Sequence, residues 1–308
     1  MLRIIKSLAR ANAQTLILIC FSVGIARAGL KIDLVPLIVG SQFPDGNQMI
    51  TVGVAPDDVR GGGNIDTIMR VAAKAWQKTF RDVKGKWRLR INYGWCDISP
   101  YGQEFPRKTV PDSENRPARI TEANICFNDD PASGDAISDG QNPEIIGSRF
   151  SFFADPRPWT NSAYGRIRNF SDSAFSKLNV GRVLEDARGE AIDRIDLLST
   201  AMHEIGHALG IEFGYPDWNN RCVMGSNAGC DLDITAGRPF ANQYTIVFSY
   251  VGPHINSGAY VDGAGRDTPL MVADPYPSRR VLISDLDALA IAQINLLKGF
   301  RIKREGRR

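Results

Sequence analysis

The stretch His203-Glu204-Ile205-Gly206-His207-Ala208-Leu209-Gly210 decides how this chain is read. Side chains four residues apart share one face of a helix, so imidazoles at 203 and 207 converge on a single point. A carboxylate at 204 then lies where it can take a proton from a metal-bound water, the pattern by which one helix holds zinc with two histidines. The flanks read as helix as well. Leu198, Ala201, Met202, Ile205, Ala208 and Leu209 recur at three- and four-residue steps and predict a buried stripe behind the histidines. Asp193 or Asp196 is the candidate N-cap, and Gly210 the candidate stop through a left-handed conformation. The predicted helix runs roughly from Asp193 to Leu209. Two histidines merely lining a surface helix are the competing reading, and it fits this setting less well.

A catalytic zinc needs three protein ligands and an open position. The chain has three histidines, so the remaining imidazole is His254. Carboxylates compete for the role. Glu212 lies too close to the helix end to swing back, and the next glutamate is Glu305 near the C-terminus. Asp217, Asp231, Asp233 and Asp262 stay open as alternatives. Imidazole is the commoner zinc ligand, which makes His254 the expected third one.

Residues 1–28 read as an export signal. Arg3, Lys6 and Arg10 precede an apolar run from Leu16 to Ala26, and Ala26-Arg27-Ala28 fits an A-x-A cleavage site. The apolar run is too short to span a bilayer comfortably, and no later segment reads as a span. Arg3, Lys6, Arg10 and Arg27 leave with this segment, which carries no acidic residue, so the formal charge passes from +3 to −1. Nucleic acid is therefore not an implied partner. The remaining residues, 29–298, are expected to form a single domain, followed by a basic tail at 299–308. The expected location is outside the cytoplasm, in a periplasm or beyond the cell.

Cys20 lies within the signal, leaving Cys96, Cys126, Cys222 and Cys230. An even number in an exported chain predicts two disulfides. Cys96–Cys126 and Cys222–Cys230 are the favoured pairs, since each closes a loop of polar residues and turn formers. No C-x-x-C pair supports a cysteine zinc site.

Along the chain, Met49 to Val54 alternates like a strand, and Ile65 to Phe80 reads as a helix with Ile68, Val71, Ala72, Ala75 and Trp76 as its apolar stripe. Trp87 to Tyr93 alternates again, so the order strand–helix–strand predicts a sheet with a packed crossover helix. Residues 96–147, rich in Pro, Asp, Asn and Gly, read as a long inserted connection broken by a short strand at Ala123 to Phe127. Phe150 to Phe153 and Tyr244 to Val251 are further candidate strands, with residues 211–253 otherwise a second loop insertion. Ser284 to Leu297 reads as a closing helix, with Ser284 as N-cap and Asp287 three residues on.

With these residues in view, the chain resembles the metzincin clan of zinc endopeptidases. It looks most like matrixin-type enzymes with a leishmanolysin-like insertion before the third histidine. The resemblance is tight over His203 to Gly210 and loose over Met49 to Leu297. Ala123-Asn124-Ile125-Cys126-Phe127 and Phe152-Phe153-Ala154-Asp155 also look like matrixin sheet strands. The chain departs from the pattern at Phe213, where a metzincin would carry its third histidine. The clan places a methionine turn under the zinc, ahead of a final helix. Met224 lies 60 residues before Ser284 and Met271 only 13, so the resemblance assigns the turn to Met271. No cysteine-switch propeptide is visible between Gly29 and Gln48.

Such a resemblance implies an α+β fold: a twisted mixed β-sheet with a backing helix, the active-site helix and a C-terminal helix. It further implies a cleft in which a peptide lies beside an edge strand. The expectation is a secreted zinc endopeptidase with Zn2+ on His203, His207 and His254 and Glu204 as general base. Tyr260 or Tyr276 is a candidate helper at the oxyanion, each with an alternative role as a packing aromatic. Two rival readings stay open: an inactive binding protein on a zincin scaffold, for which Phe213 argues, and a zinc amidase acting on cell-wall material.

Overall fold

A computed structural model describes residues 29–83, 86–111, 119–130, 150–158, 162–171, 178–212, 231–233, 245–248, 253–273, 276–295 and 297. The expected signal at 1–28, Asp172, Phe213, Asp217, Cys222, Met224, Cys230 and the tail at 299–308 lie outside the described residues. The chain opens with strand β1 (Leu30–Pro36) and a hairpin of β2 (Gln42–Asp45) and β3 (Gln48–Thr51). Helix α1 (Ile65–Thr79) follows, then three strands: β4 (Trp87–Cys96), β5 (Gly102–Val110) and β6 (Arg119–Asn128). Short strands β7 (Phe152–Phe153), β8 (Ile167–Phe170), β9 (Gly181–Leu184) and β10 (Ile195–Asp196) lead into helix α2 (Leu197–Ala208). Strands β11 (Asp231–Asp233), β12 (Thr245–Val247) and β13 (Arg280–Leu282) precede the closing helix α3 (Asp285–Ile294).

The main sheet is mixed, in the order β1-β4-β6-β5. Strands β1, β4 and β6 run parallel, and β5 runs antiparallel on β6 as the edge strand among the described residues. This corrects two expectations. The strand that precedes the crossover helix is Leu30–Pro36 rather than Met49–Val54; Met49 belongs to a separate hairpin. And 96–147 is no mere connection, because it supplies β5 and β6, two of the four strands of the main sheet.

Helix α1 begins on a reciprocal cap, in which the Asn64 side chain accepts from the Thr67 amide and Thr67 returns a bond to the Asn64 amide. Its buried face carries Ile68, Met69, Ala72, Ala73 and Trp76. The Trp76 indole N–H donates to the Met202 carbonyl at 2.8 Å, which locks α1 behind α2. Helices α1, α2 and α3 and the main sheet contribute to one apolar cluster. A smaller cluster of Phe43, Ile50, Val52, Ile98 and Phe105 surrounds Cys96 and Cys126. Those two cysteines are bonded and staple β4 to β6 across 30 residues of sequence. Removing a cross-link over a loop of that length is expected to destabilise the fold by about 3–4 kcal/mol. Urea unfolding of the C96A/C126A variant against the oxidised protein measures this, and equal midpoints would contradict it.

Candidate metal centre

Helix α2 starts at Asp196, whose carboxylate accepts from the Ser199 amide at 2.8 Å; Asp193, the other candidate cap, does not take that role. The helix ends as expected, with Gly210 at a φ of +129° just beyond it. Its first half is fixed from below. Arg280, fully buried, donates from Nε and Nη2 to the Asp196 carboxylate at 2.9 and 2.7 Å, and Tyr164 adds a third bond at 3.1 Å. The same guanidinium reaches the carbonyls of Asp155 and Arg157, so one cation joins β13, the segment after β7 and the cap of α2.

One ring nitrogen from each of His203, His207 and His254 lies within 4.8 Å of the other two. The ring centroids are 4.6, 5.2 and 4.8 Å apart. Among the described residues this is the group positioned to hold a metal ion. The expected third imidazole is thus brought to the other two, although 47 residues separate it from His207. Asp262, a carboxylate alternative, is engaged elsewhere. It binds the Arg266 side chain at 2.9 Å and the backbone amides of Ala264 and Arg266. Asp231 and Asp233 lie on β11, paired with β12.

The hydrogen bonds around two of the rings define their chemistry. His203 Nδ1 contacts the Leu270 carbonyl at 2.8 Å, and His207 Nδ1 contacts the Ile211 carbonyl. A carbonyl oxygen only accepts, so each Nδ1 carries the proton and each Nε2 presents a lone pair. The two Nε2 atoms face each other at 2.9 Å. Two lone pairs at that distance repel unless a cation lies between them. Tetrahedral bonds of about 2.0–2.1 Å put zinc-bound nitrogens roughly 3.3 Å apart, so a small adjustment accommodates the ion. The donor set of three neutral imidazoles suits a borderline transition metal such as zinc.

Burial pushes the rings toward that neutral form: His203 down to about 4, and His207 to about 3 with help from the adjacent His203. Burial and the other two rings also hold His254 well below the usual imidazole range. Glu204 is buried beside them and is pushed up to about 8, first by burial and then by the Glu212 carboxylate; the Glu104 backbone amide opposes this by hydrogen bonding to it. A dication at the three nitrogens favours the ionised carboxylate.

The Met271 sulfur packs against helix α2 at Gly206. A Cβ at Gly206 would sit 2.3 Å from its sulfur and 3.4 Å from the Trp76 ring, so glycine is the residue that fits between the two histidine turns. The turn itself is clamped by Asp287 at the start of α3. One carboxylate oxygen accepts from the Met271 amide at 3.0 Å and the other from the Leu270 amide at 3.2 Å. It also caps α3 together with Ser284, at 2.8 Å to the Ser284 amide. The Met271 carbonyl then accepts from the Ile255 amide at 2.7 Å, one residue after His254. Asn295 closes the far end, donating to the Leu209 carbonyl at 2.7 Å.

Tyr260 is buried and its carbonyl takes up Thr268, while the Tyr276 ring packs under the Arg279 guanidinium. The residue that sequence reasoning missed is Glu104. It lies on β5, is buried, and is pushed well above the carboxylate range by burial and by the charges of Glu212 and Glu204. A glutamate in a polar stretch carries no sign that it will be buried. Comparison of the chain with family models, with curated proteins and with solved structures finds no match.

Two outcomes are expected. With metal chelated, the folded state keeps the three rings neutral while the unfolded chain protonates them near pH 6.5. The rings alone therefore lower stability on acidification, by at most about 1.4 kcal/mol per pH unit each, while the raised carboxyls of Glu204 and Glu104 act in the opposite sense. NMR titration of the imidazole signals in chelator tests this; protonation of the folded rings near pH 6.5 contradicts it. The Gly206→Ala variant must displace the Met271 sulfur, so it is expected to lose about 1–3 kcal/mol by overpacking and to bind Zn2+ more weakly. Calorimetric titration with Zn2+ reads the second effect.

Proposed function

We propose that this protein is a zinc-dependent endopeptidase of metzincin-like architecture, exported from the cytoplasm. The single observation that carries the reading is the convergence of His203, His207 and His254 with Glu204 buried beside them. A purely structural site has no use for that glutamate. Several features support the finer assignment. The sheet carries an antiparallel edge strand next to the histidine helix, α1 backs that helix through Trp76, and Met271 lies below it. The leader at 1–28 and the Cys96–Cys126 disulfide support an oxidising compartment. No helix among the described residues is long and apolar enough to cross a membrane.

His203, His207 and His254 would hold the zinc, and when bound it supplies a Lewis acid that polarises a carbonyl and acidifies water toward a pKa of about 7. Residues of this chain do the rest. Glu204 accepts the proton of the attacking water and delivers it to the leaving amine. Strand β5, the sheet edge among the described residues, is where an extended peptide adds as a further strand and is thereby aligned across Glu204.

The test is a pair of variants. Glu204→Ala is expected to bind one Zn2+ per chain and lose about 10²–10⁴-fold in cleavage of unfolded casein. His254→Ala is expected to lose the metal itself, read by atomic absorption. Retained cleavage by Glu204→Ala would refute the assignment. Cleavage of cell-wall amides but not of casein would shift the substrate class.

A further inference from the structure

Among the described residues, buried carboxylates outside the histidine site meet a cation or a set of hydrogen-bond donors. Asp196 meets Arg280, Asp155 meets Arg157, Glu185 meets Arg266, Asp262 meets Arg266, and Asp287 accepts from Ser284 and two backbone amides. Glu104 is the exception. Both of its carboxylate oxygens are buried and neither has a hydrogen-bond partner, a condition that no other buried acid among the described residues shares. The charged groups that act on it are Glu204 and Glu212, both acidic. A carboxylate has room for several donors, and burying it with none is strongly unfavourable.

Its place on the strand sets what it faces. Residues two apart on a strand share a sheet face, so Glu104 lies on the same face as Gly102. A Cβ at Gly102 would lie 2.9 Å from the Glu204 carboxylate and 2.7 Å from the Thr200 methyl. That face of β5 is thus packed directly against the catalytic end of α2. Among the described residues the strand is the edge of the sheet.

The geometry points to Glu104 as a specificity-determining residue, whose carboxylate receives the ammonium or guanidinium of a basic side chain beside the peptide bond to be cut. The inference rests on the endopeptidase reading and names the substrate class for it. A substrate cation supplies what the fold withholds: several N–H donors and a compensating charge. Beside a neutral side chain Glu104 keeps its proton, so only a cation gains the ion pair and its neutral isostere does not. The acidic neighbours reinforce the choice, since a carboxylate-bearing substrate would meet Glu104, Glu204 and Glu212 together.

The experiment uses the full zinc-loaded protein and matched peptides differing at one position flanking the scissile bond: lysine, arginine, their uncharged counterparts norleucine and citrulline, and glutamate. The wild type is expected to cleave the lysine and arginine peptides with kcat/KM at least about 10-fold above their neutral counterparts, and the glutamate peptide slowest. In Glu104→Gln the basic-over-neutral ratio is expected to fall to within about 3-fold, and Glu104→Asp is expected to restore part of it. The ratio isolates recognition, because a merely structural role would lower all five rates together. Cleavage by the wild type with no preference for basic residues overturns the inference while leaving the endopeptidase reading intact. A basic preference that survives in Glu104→Gln overturns it as well. If no peptide is cleaved although zinc is bound, the endopeptidase reading fails and this inference falls with it. Wild-type selectivity alone decides the matter should Glu104→Gln not fold, since a neutral or acidic preference is incompatible with the proposal.

Discussion

The carboxylate of Asp287 is the contact on which the metal centre depends. It binds the amides of Leu270 and Met271 and caps α3 in the same stroke. From those two residues the order passes outward in three directions. The Leu270 carbonyl sets the tautomer of His203, the Met271 sulfur fills the space left by Gly206, and the Met271 carbonyl anchors the backbone next to His254. A buried acid is tolerable there only because four donors meet it, and burial still raises its pKa against their pull. The three imidazoles are thus tied to the start of α3 rather than to the loop that carries His254 alone, which is what a pre-organised metal site requires.

A second buried charge sets the angle at which the histidine helix leaves the sheet. Arg280 and Asp196 are both inaccessible to water, and removing either partner alone would strand a charge in the interior. The pair is saturated with further donors and acceptors from Tyr164, Ser199 and two carbonyls, so little of its hydrogen-bonding capacity is wasted. Its effect is geometric. It holds β13 against the cap of α2, and β13 leads directly into the Ser284–Asp287 cap. The two acidic caps, Asp196 and Asp287, therefore brace the same helix from its start and from beneath its middle.

Helices were the legible part of the chain. The predicted ranges of α1, α2 and α3 each contain the observed one, because a 3.6-residue apolar stripe with a capping residue is a local signal. Strands were less legible. Leu30, Ile32 and Leu34 alternate with Lys31 and Asp33, yet the run follows an apolar leader that obscures it. Strand β5 reads as loop because Gly102, Glu104, Pro106 and Lys108 all lower strand propensity. Pro106 is accommodated on the edge strand, next to a break in register between Pro106 and Lys108. The hairpin at Met49 alternates as a strand should, but alternation does not say which sheet a strand joins.

By itself the sequence determined the chemistry available to this protein: two imidazoles one helical turn apart, a glutamate between them, and one further histidine. Periodicity and residue type suffice for that, since both act within a few residues along the chain. Tertiary structure alone decided that His254 joins them, that Cys96 reaches Cys126 across two parallel strands, and that Glu104 is buried without a partner at the sheet edge. Each of these depends on contacts between residues distant in sequence. Burial and pairing are properties of the packed core, and no local pattern encodes them.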